Sequence, residues 1–210
     1  MLIATGFKKM PKLLHVGCGP KTKLQTTREF ELDHWEETRL DIDVSAEPDV
    51  IGTMTDMSAI DSLTVDGIFS SHNIEHLFPH EVPVALAEFK RVLKDDGYCV
   101  ITCPDLQSVC QLVAENKLTQ EAYNSPAGPI SPLDIIYGHR PSLQAGNHFM
   151  AHKCGFTENV LRGTLLEAGF EGVVSFRRGR SPFFDLWALA SKQKMQDEEL
   201  KALAVRHFPS

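Results

Sequence analysis

Short apolar runs separated by turn residues set the rhythm of this chain. Leu13 to Val16 predict a buried strand that breaks into Gly17-Cys18-Gly19-Pro20, a composition suited to a turn. The following KTKLQTTREFELDHW has only weak periodicity and predicts a short, irregular helix. TRLDIDV predicts a second strand, PDVIGTMTDM a third ending near Asp56, and DGIFSSH a fourth, with a poorly marked helix over residues 58–63 between the last two. From Glu81 to Asp95 the spacing turns helical: Leu86, Phe89 and Leu93 fall on one stripe, and Gly97 supplies a stop. YCVITCPD is apolar enough for a central strand, Pro104-Asp105 opens a turn, and LQSVCQLVAENKL predicts another helix.

Residues 119–153 are rich in Pro, Gly, Asn and His without a period, which predicts a long connection of the kind that forms lids. Beyond it Thr157 is placed to cap a helix whose face carries Leu161, Leu165 and Ala168 and whose stop is Gly169. GVVSFRR and FDLWALAS are two strands joined by a short turn, which makes them antiparallel to each other. Residues 195–210 predict a short amphipathic helix or a loose tail. The alternation as a whole predicts an α/β, Rossmann-like, doubly wound and mostly parallel sheet with an antiparallel C-terminal strand. It spans one domain over residues 1–194, with the excursion at about 119–153. Ligands of such sheets bind beyond the carboxyl ends of the strands, where Gly17-Cys18-Gly19 lies.

Composition narrows the partners. The 210 residues are 42% hydrophobic and 23% charged, ordinary for a globular protein, and the net charge of -7 excludes a broad field for nucleic acid or anionic membranes. Arg177-Arg178-Gly179-Arg180 is a local basic cluster, read as a solvated turn. The five cysteines are odd in number and lack C-x-x-C spacing, which predicts reduced thiols and a cytoplasmic setting. MLIATGFKKMPK does not read as a signal peptide, and no apolar stretch is long enough for a membrane helix.

Three ligands compete for the opening turn. A triphosphate loop requires G-x-x-x-x-G-K-[ST], which GCGPKT lacks. The dinucleotide fingerprint requires a third glycine where Thr22 stands, and Pro20 has no N–H to offer a pyrophosphate. An adenosine-bearing cofactor without phosphates needs only the two glycines and an acid at the end of the next strand. Asp41, 24 residues after Gly17 (41 − 17), has close to the right spacing, with Asp43 as the alternative on the same face.

LLHVGCG, RLDIDV, PDVIGTMTDM, GIFSSHNIEHL, FKRVLKDDGYCVITCPD and FTENVLRGTLLEAGF occur, over residues 13–192, in the order and spacing of class I S-adenosylmethionine-dependent methyltransferases. The chain most resembles the type 11 group. That resemblance implies S-adenosylmethionine as cofactor and S-adenosylhomocysteine as product. It implies Gly17 and Gly19 near the methionine moiety, Asp41 on the ribose, and Thr55, Asp56 and Met57 beside the adenine, with Asp56 facing its amino group. Ser71 and His72 would flank the reactive methyl, and Cys18, Ile42 and His15 complete the set. The family usually has an acid at the position of His15.

The implied reaction is in-line methyl transfer to O or N of a small polar molecule, such as a sugar or other metabolite, by a monomer or homodimer. A hydroxyl or amine acceptor gains from a general base, for which His72, His148 and His152 are the candidates. A competing reading takes HNIEH, His72 to His76, as the H-x-x-E-H pattern of a zinc hydrolase. It requires a continuous helix, which Pro79 and Pro83 oppose. His148, His152 and Cys154 form a second incomplete ligand set, and no metal is assigned. A non-catalytic cofactor-binding protein is the remaining alternative.

Overall fold

The structure, a computed structural model, describes residues 9–178 and 184–209. Gly179 and Arg180 of the basic cluster, and the first eight residues, lie outside the described residues.

The chain forms β1 (Lys12–Val16), β2 (Glu36–Asp41), β3 (Val50–Ile51), β4 (Val65–Ser71), α1 (Val82–Val92), β5 (Leu93–Pro104) and α2 (Leu106–Ala114). The excursion follows as β6 (Tyr123–Ser125), β7 (Gly128–Ile130), α3 (Pro132–Tyr137) and α4 (Arg140–Gln144). The chain then completes α5 (Glu158–Glu167), β8 (Gly172–Arg178), β9 (Asp185–Ser191) and α6 (Asp197–His207). Seven strands make one sheet in the order β3-β2-β1-β4-β5-β9-β8. β1 to β5 run parallel, and β9 is antiparallel to both β5 and β8. The predicted sheet, with its antiparallel strand near the C-terminus, is therefore present.

Each face of the sheet carries its own core, as burial of both faces requires. On one face Leu14, Val16, Ile68 and Ile101 pack against Leu86 and Phe89 of α1 and Leu161 and Leu165 of α5. On the other, Leu13, Phe69 and Val100 pack against Phe30, Trp35 and the α6 residues Leu200 and Leu203. Residues 195–210 thus supply a packed helix rather than a loose tail. His207 of α6 is buried between Thr27, 2.8 Å from its Nδ1, and the Tyr98 hydroxyl, 3.0 Å from its Nε2.

Three local expectations are corrected. Residues 58–63 form turns instead of a helix; Arg91 holds the carbonyls of Met57 and Ile60, and Leu63 has a φ of 60°. Gly97 does not stop a helix, because α1 ends at Val92 and Leu93 pairs at once with Val65 of β4. The connection at 119–153 is no plain loop. Its β6–β7 hairpin and α3 pack Ile130 and Ile135 on Val109 of α2, and Arg140 fastens α4 to Asp134 of α3.

Candidate active site

The carboxyl ends of β1, β2, β4 and β5 share one edge of the sheet, and β9, running the other way, begins there. At the β1 end the chain turns sharply: Gly17 and Gly19 have φ of 64° and 53°, the left-handed region that only glycine enters freely. The Gly17 and Cys18 amides donate to the Leu40 carbonyl, anchoring the turn to β2. A Cβ on Gly17 would lie 2.2 Å from the Asn73 Oδ1, whereas nothing stands within 4 Å of one on Gly19. The turn is thus closed beneath and open above, a cradle for a ligand at Gly19.

Asp41 ends β2 and is buried. Its Oδ2 accepts the Gly19 N–H at 2.6 Å and its Oδ1 that of Asp43 at 2.8 Å. Asp43 instead caps a 3-10 turn through Ser45 and is half-buried, so the two acids have different tasks. Ile42 beside them leaves 42% of its surface in water, as an apolar side chain facing a ligand plane would. Asp56 and Thr55 lie on the loop after β3; Asp56 accepts the Ser58 N–H, which holds its carboxyl below its usual range. Two members of the sequence-derived set project elsewhere. The Met57 side chain is in the core and its N–H is taken by Glu88; the Cys18 side chain is buried as well.

His15 is corrected in the same way. It points into the aromatic side of the sheet, 5.4 Å from the Phe69 ring, and its Nδ1 lies 2.9 Å from Glu37 of β2. Burial lowers its pKa and Glu37 only partly offsets this. The carboxylate expected on β1 is found one strand away, a displacement that alternation along β2 alone did not reveal. Asn73, also missed, donates to the carbonyls of Val16 and Ser71 at 3.0 Å each and ties the ends of β1 and β4 together. Arg39 donates to the Gly19, Lys21, Ala46 and Glu47 carbonyls, pinning the loops that flank Asp41.

At the β4 end, Ser71 shares a 2.7 Å hydrogen bond with Thr102 of β5. His72 then adopts a φ of 55°, a strained conformation of the sort concentrated at functional sites. HNIEH does not form the helix the zinc-hydrolase pattern needs: only Ile74–His76 make a single 3-10 turn. His72 lies 3.4 Å from both Glu75 and Asp185. Burial pulls its pKa down, but the two carboxylates outweigh that and push it to about 10. A ring held protonated donates hydrogen bonds and has no lone pair for a proton, so His72 does not suit the base role.

A pocket opens here, bordered by His72, Glu75, His76, Asp134, His152 and Asp185 and roofed by the excursion through Tyr123, Ile130 and Met150. His152 is in it, with its pKa lowered chiefly by burial. His148 is exposed on a 3-10 turn and does not border the pocket, and Cys154 turns its thiol toward the Ile74 carbonyl. The incomplete His148/His152/Cys154 set, to which no metal is assigned from the sequence, is therefore not assembled. Burial pushes the Cys99 thiol up to about 12 and the Cys103 thiol well above the ordinary value, which disfavours the thiolate form of both.

Comparison with known proteins agrees with this geometry. The family profile described as a methyltransferase domain matches residues 14–101, from β1 into β5. No curated protein matches in sequence. Among solved structures, the chain is similar to the Burkholderia thailandensis 1,6-didemethyltoxoflavin-N1-methyltransferase bound to 1,6-didemethyltoxoflavin and S-adenosylhomocysteine. That likeness has 15% identity and a TM-score of 0.54 over 88% of this chain and 72% of that one. A Methanosarcina mazei SAM-dependent methyltransferase gives 15% identity and 0.56 over 89% and 95%. One from Archaeoglobus fulgidus gives 16% and 0.54 over 88% and 87%. These likenesses establish the fold, and no helix among the described residues is long and apolar enough to cross a membrane. Sheet order, glycine turn and the methyltransferase-domain match over residues 14–101 together make the chain similar to methyltransferases dependent on S-adenosylmethionine.

Proposed function

We propose that the protein methylates an oxygen or nitrogen of a small polar molecule, held in the pocket between His72 and the excursion. The observation that carries this reading is the placement of that pocket. It is lined by His72, which follows the end of β4 at the same edge of the sheet as the glycine turn, and polar side chains border it. The pocket is modest and roofed by packed elements, which suits a metabolite better than a macromolecule. The relative from Burkholderia, whose described ligand is a small heterocycle, is in line with this.

The residues fit the cofactor. Gly19 leaves space above its α-carbon, Asp41 stands at the end of β2 for the ribose hydroxyls, and Ile42 and Asp56 are free to face the adenine. Asp41 keeps lone pairs beyond the two amides it already accepts. Bound there, S-adenosylmethionine supplies a methyl group on a sulfonium centre, open to in-line attack. The chain's own contribution is orientation and exclusion of water, which can supply much of the rate of such a displacement. His72, protonated, donates to the acceptor and steers it. His152 is the candidate with a lone pair to receive the acceptor's proton, because its Nδ1 faces the Ile135 carbonyl at 2.7 Å and its Nε2 is left free.

Calorimetry with S-adenosylhomocysteine should give saturable binding, and NAD none; the reverse result overturns the cofactor assignment. A screen of metabolite extracts with methyl-labelled S-adenosylmethionine should then identify the acceptor. Transfer only to protein or RNA fractions would refute the small-molecule reading.

A further inference from the structure

Glu75 is 1% exposed, yet among the described residues neither carboxylate oxygen has a hydrogen-bond partner. A buried ionised carboxylate left in this condition costs several kcal/mol unless something of opposite charge sits against it. His72 approaches only to 3.4 Å and is itself shared with Asp185. Two further imidazoles face the same carboxylate. One donor atom each from Glu75, His76 and His152 lie within 4.8 Å of one another.

The backbone fixes which nitrogen each ring presents. His76 Nδ1 lies 3.1 Å from the Ala151 carbonyl and His152 Nδ1 lies 2.7 Å from that of Ile135. A carbonyl only accepts, so both Nδ1 atoms carry the hydrogen, and in the neutral rings both Nε2 atoms carry lone pairs. This is the outer-shell arrangement that orients histidines for a metal. The segments are also fastened together, since the Glu75 carbonyl accepts the N–H groups of Lys153 and Cys154 at 2.8 and 3.2 Å. The two rings stand 4.9 Å apart, centroid to centroid.

We infer that Glu75, His76 and His152 form a binding site for one divalent transition-metal cation at the floor of the acceptor pocket. Two imidazoles and one carboxylate suit Zn2+, Mn2+, Fe2+ or Co2+. Ligand distances of about 2.0–2.2 Å would bring the donors roughly 3–4 Å apart, so closing the set needs side-chain shifts of about 1 Å. The positions left open face the pocket. The site differs from the H-x-x-E-H pattern, which would have used His72 and His76 on one helix. Its consequence for catalysis rests on the methyltransferase reading: an acceptor hydroxyl bound to the metal would be more acidic and would release its proton to solvent water in the pocket, so that deprotonation would not need His152, whose Nε2 is then a ligand.

The test is direct binding to chelator-stripped protein, without cofactor or acceptor. Titration with Co2+, Zn2+ and Mn2+ should show one equivalent bound, and Co2+ should develop visible ligand-field bands. His76→Ala and His152→Ala should each weaken binding by at least about tenfold. Glu75→Gln should do the same, while His80→Ala, outside the cluster, should match the wild type. S-adenosylhomocysteine binding, measured in parallel, reports that each variant is folded. Wild-type protein that takes up none of the three cations, or variants that bind as tightly as wild type, would overturn the site. Failure of wild-type protein to bind S-adenosylhomocysteine would instead count against the methyltransferase reading and leave the metal result standing.

Discussion

The glycine turn, where the cofactor is proposed to bind, and the pocket beside His72, proposed for the acceptor, are built on opposite principles. At the cofactor end polar groups are spoken for: Asp41 accepts two amides, Asn73 bonds two carbonyls, and Arg39 ties down four more. At the acceptor end Glu75 is buried without a hydrogen-bonded partner among the described residues, and His72 is held between two acids in a left-handed conformation. The first end is rigid because its hydrogen bonds are made. The second stores unfavourable electrostatics, as sites do when their groups are arranged for a ligand. Changes at the first end should therefore cost stability, and changes at the second should cost turnover.

The largest effect is expected from Gly17→Ala. The new methyl would meet Asn73 atoms at 2.2 to 2.5 Å on a backbone already at positive φ, a loss of about 2–4 kcal/mol by strain and overpacking. Thermal unfolding should show it, along with loss of S-adenosylhomocysteine binding. Gly19→Ala sharpens the point. Its Cβ enters open space, so stability should fall by only about 1–2 kcal/mol, while affinity for S-adenosylhomocysteine drops. Equal destabilisation by the two would mean the turn is not closed beneath and open above.

Glu75→Gln should behave in the opposite sense. Glu75 shares its cationic neighbour His72 with Asp185, and burying a neutral amide costs less than burying so incompletely paired a carboxylate, so unfolding of metal-free protein should stay within about 1 kcal/mol of wild type or improve. Methyl transfer should fall by about 100-fold or more. A destabilisation as large as that of Gly17→Ala would show that Glu75 is a structural anchor and would erase the contrast.

That contrast also explains how much of the molecule the sequence disclosed. β1 and β5 were legible because each is an apolar run ended by Gly or Pro, and the Thr157 cap, which accepts the Val160 N–H, and the Gly169 stop follow local chemistry. Gly17, Gly19 and Asp41 belong to one β-turn-β unit, so spacing alone suggested them. The acceptor end draws on HNIEH, on His152 beyond the excursion and on Asp185 at the start of an antiparallel strand. No spacing rule links such distant segments; only the packing of 119–153 on α2 and the direction of β9 bring them together. The same limit hid the partner of His15, since Glu37 reaches it across a parallel pair of strands.

The smallest expected effect concerns the charge on His72. Its folded pKa of about 10 lies above the ordinary value of 6.5. The folded state therefore holds a proton that the unfolded state releases between those values, and this contribution is complete below pH 6.5 and lost as pH rises toward 10. The ring is 44% exposed, so water screens much of the interaction and the stability at stake is about 1 kcal/mol or less. Asp185→Asn removes one of the two carboxylates and should bring the His72 pKa down, which NMR titration of the ring reads directly. Unfolding temperatures between pH 7 and 10 should then fall less steeply than in wild type. A steeper fall, or an unmoved ring titration, would show that Asp185 does not hold the proton on His72, and the ring would regain its place as a candidate base.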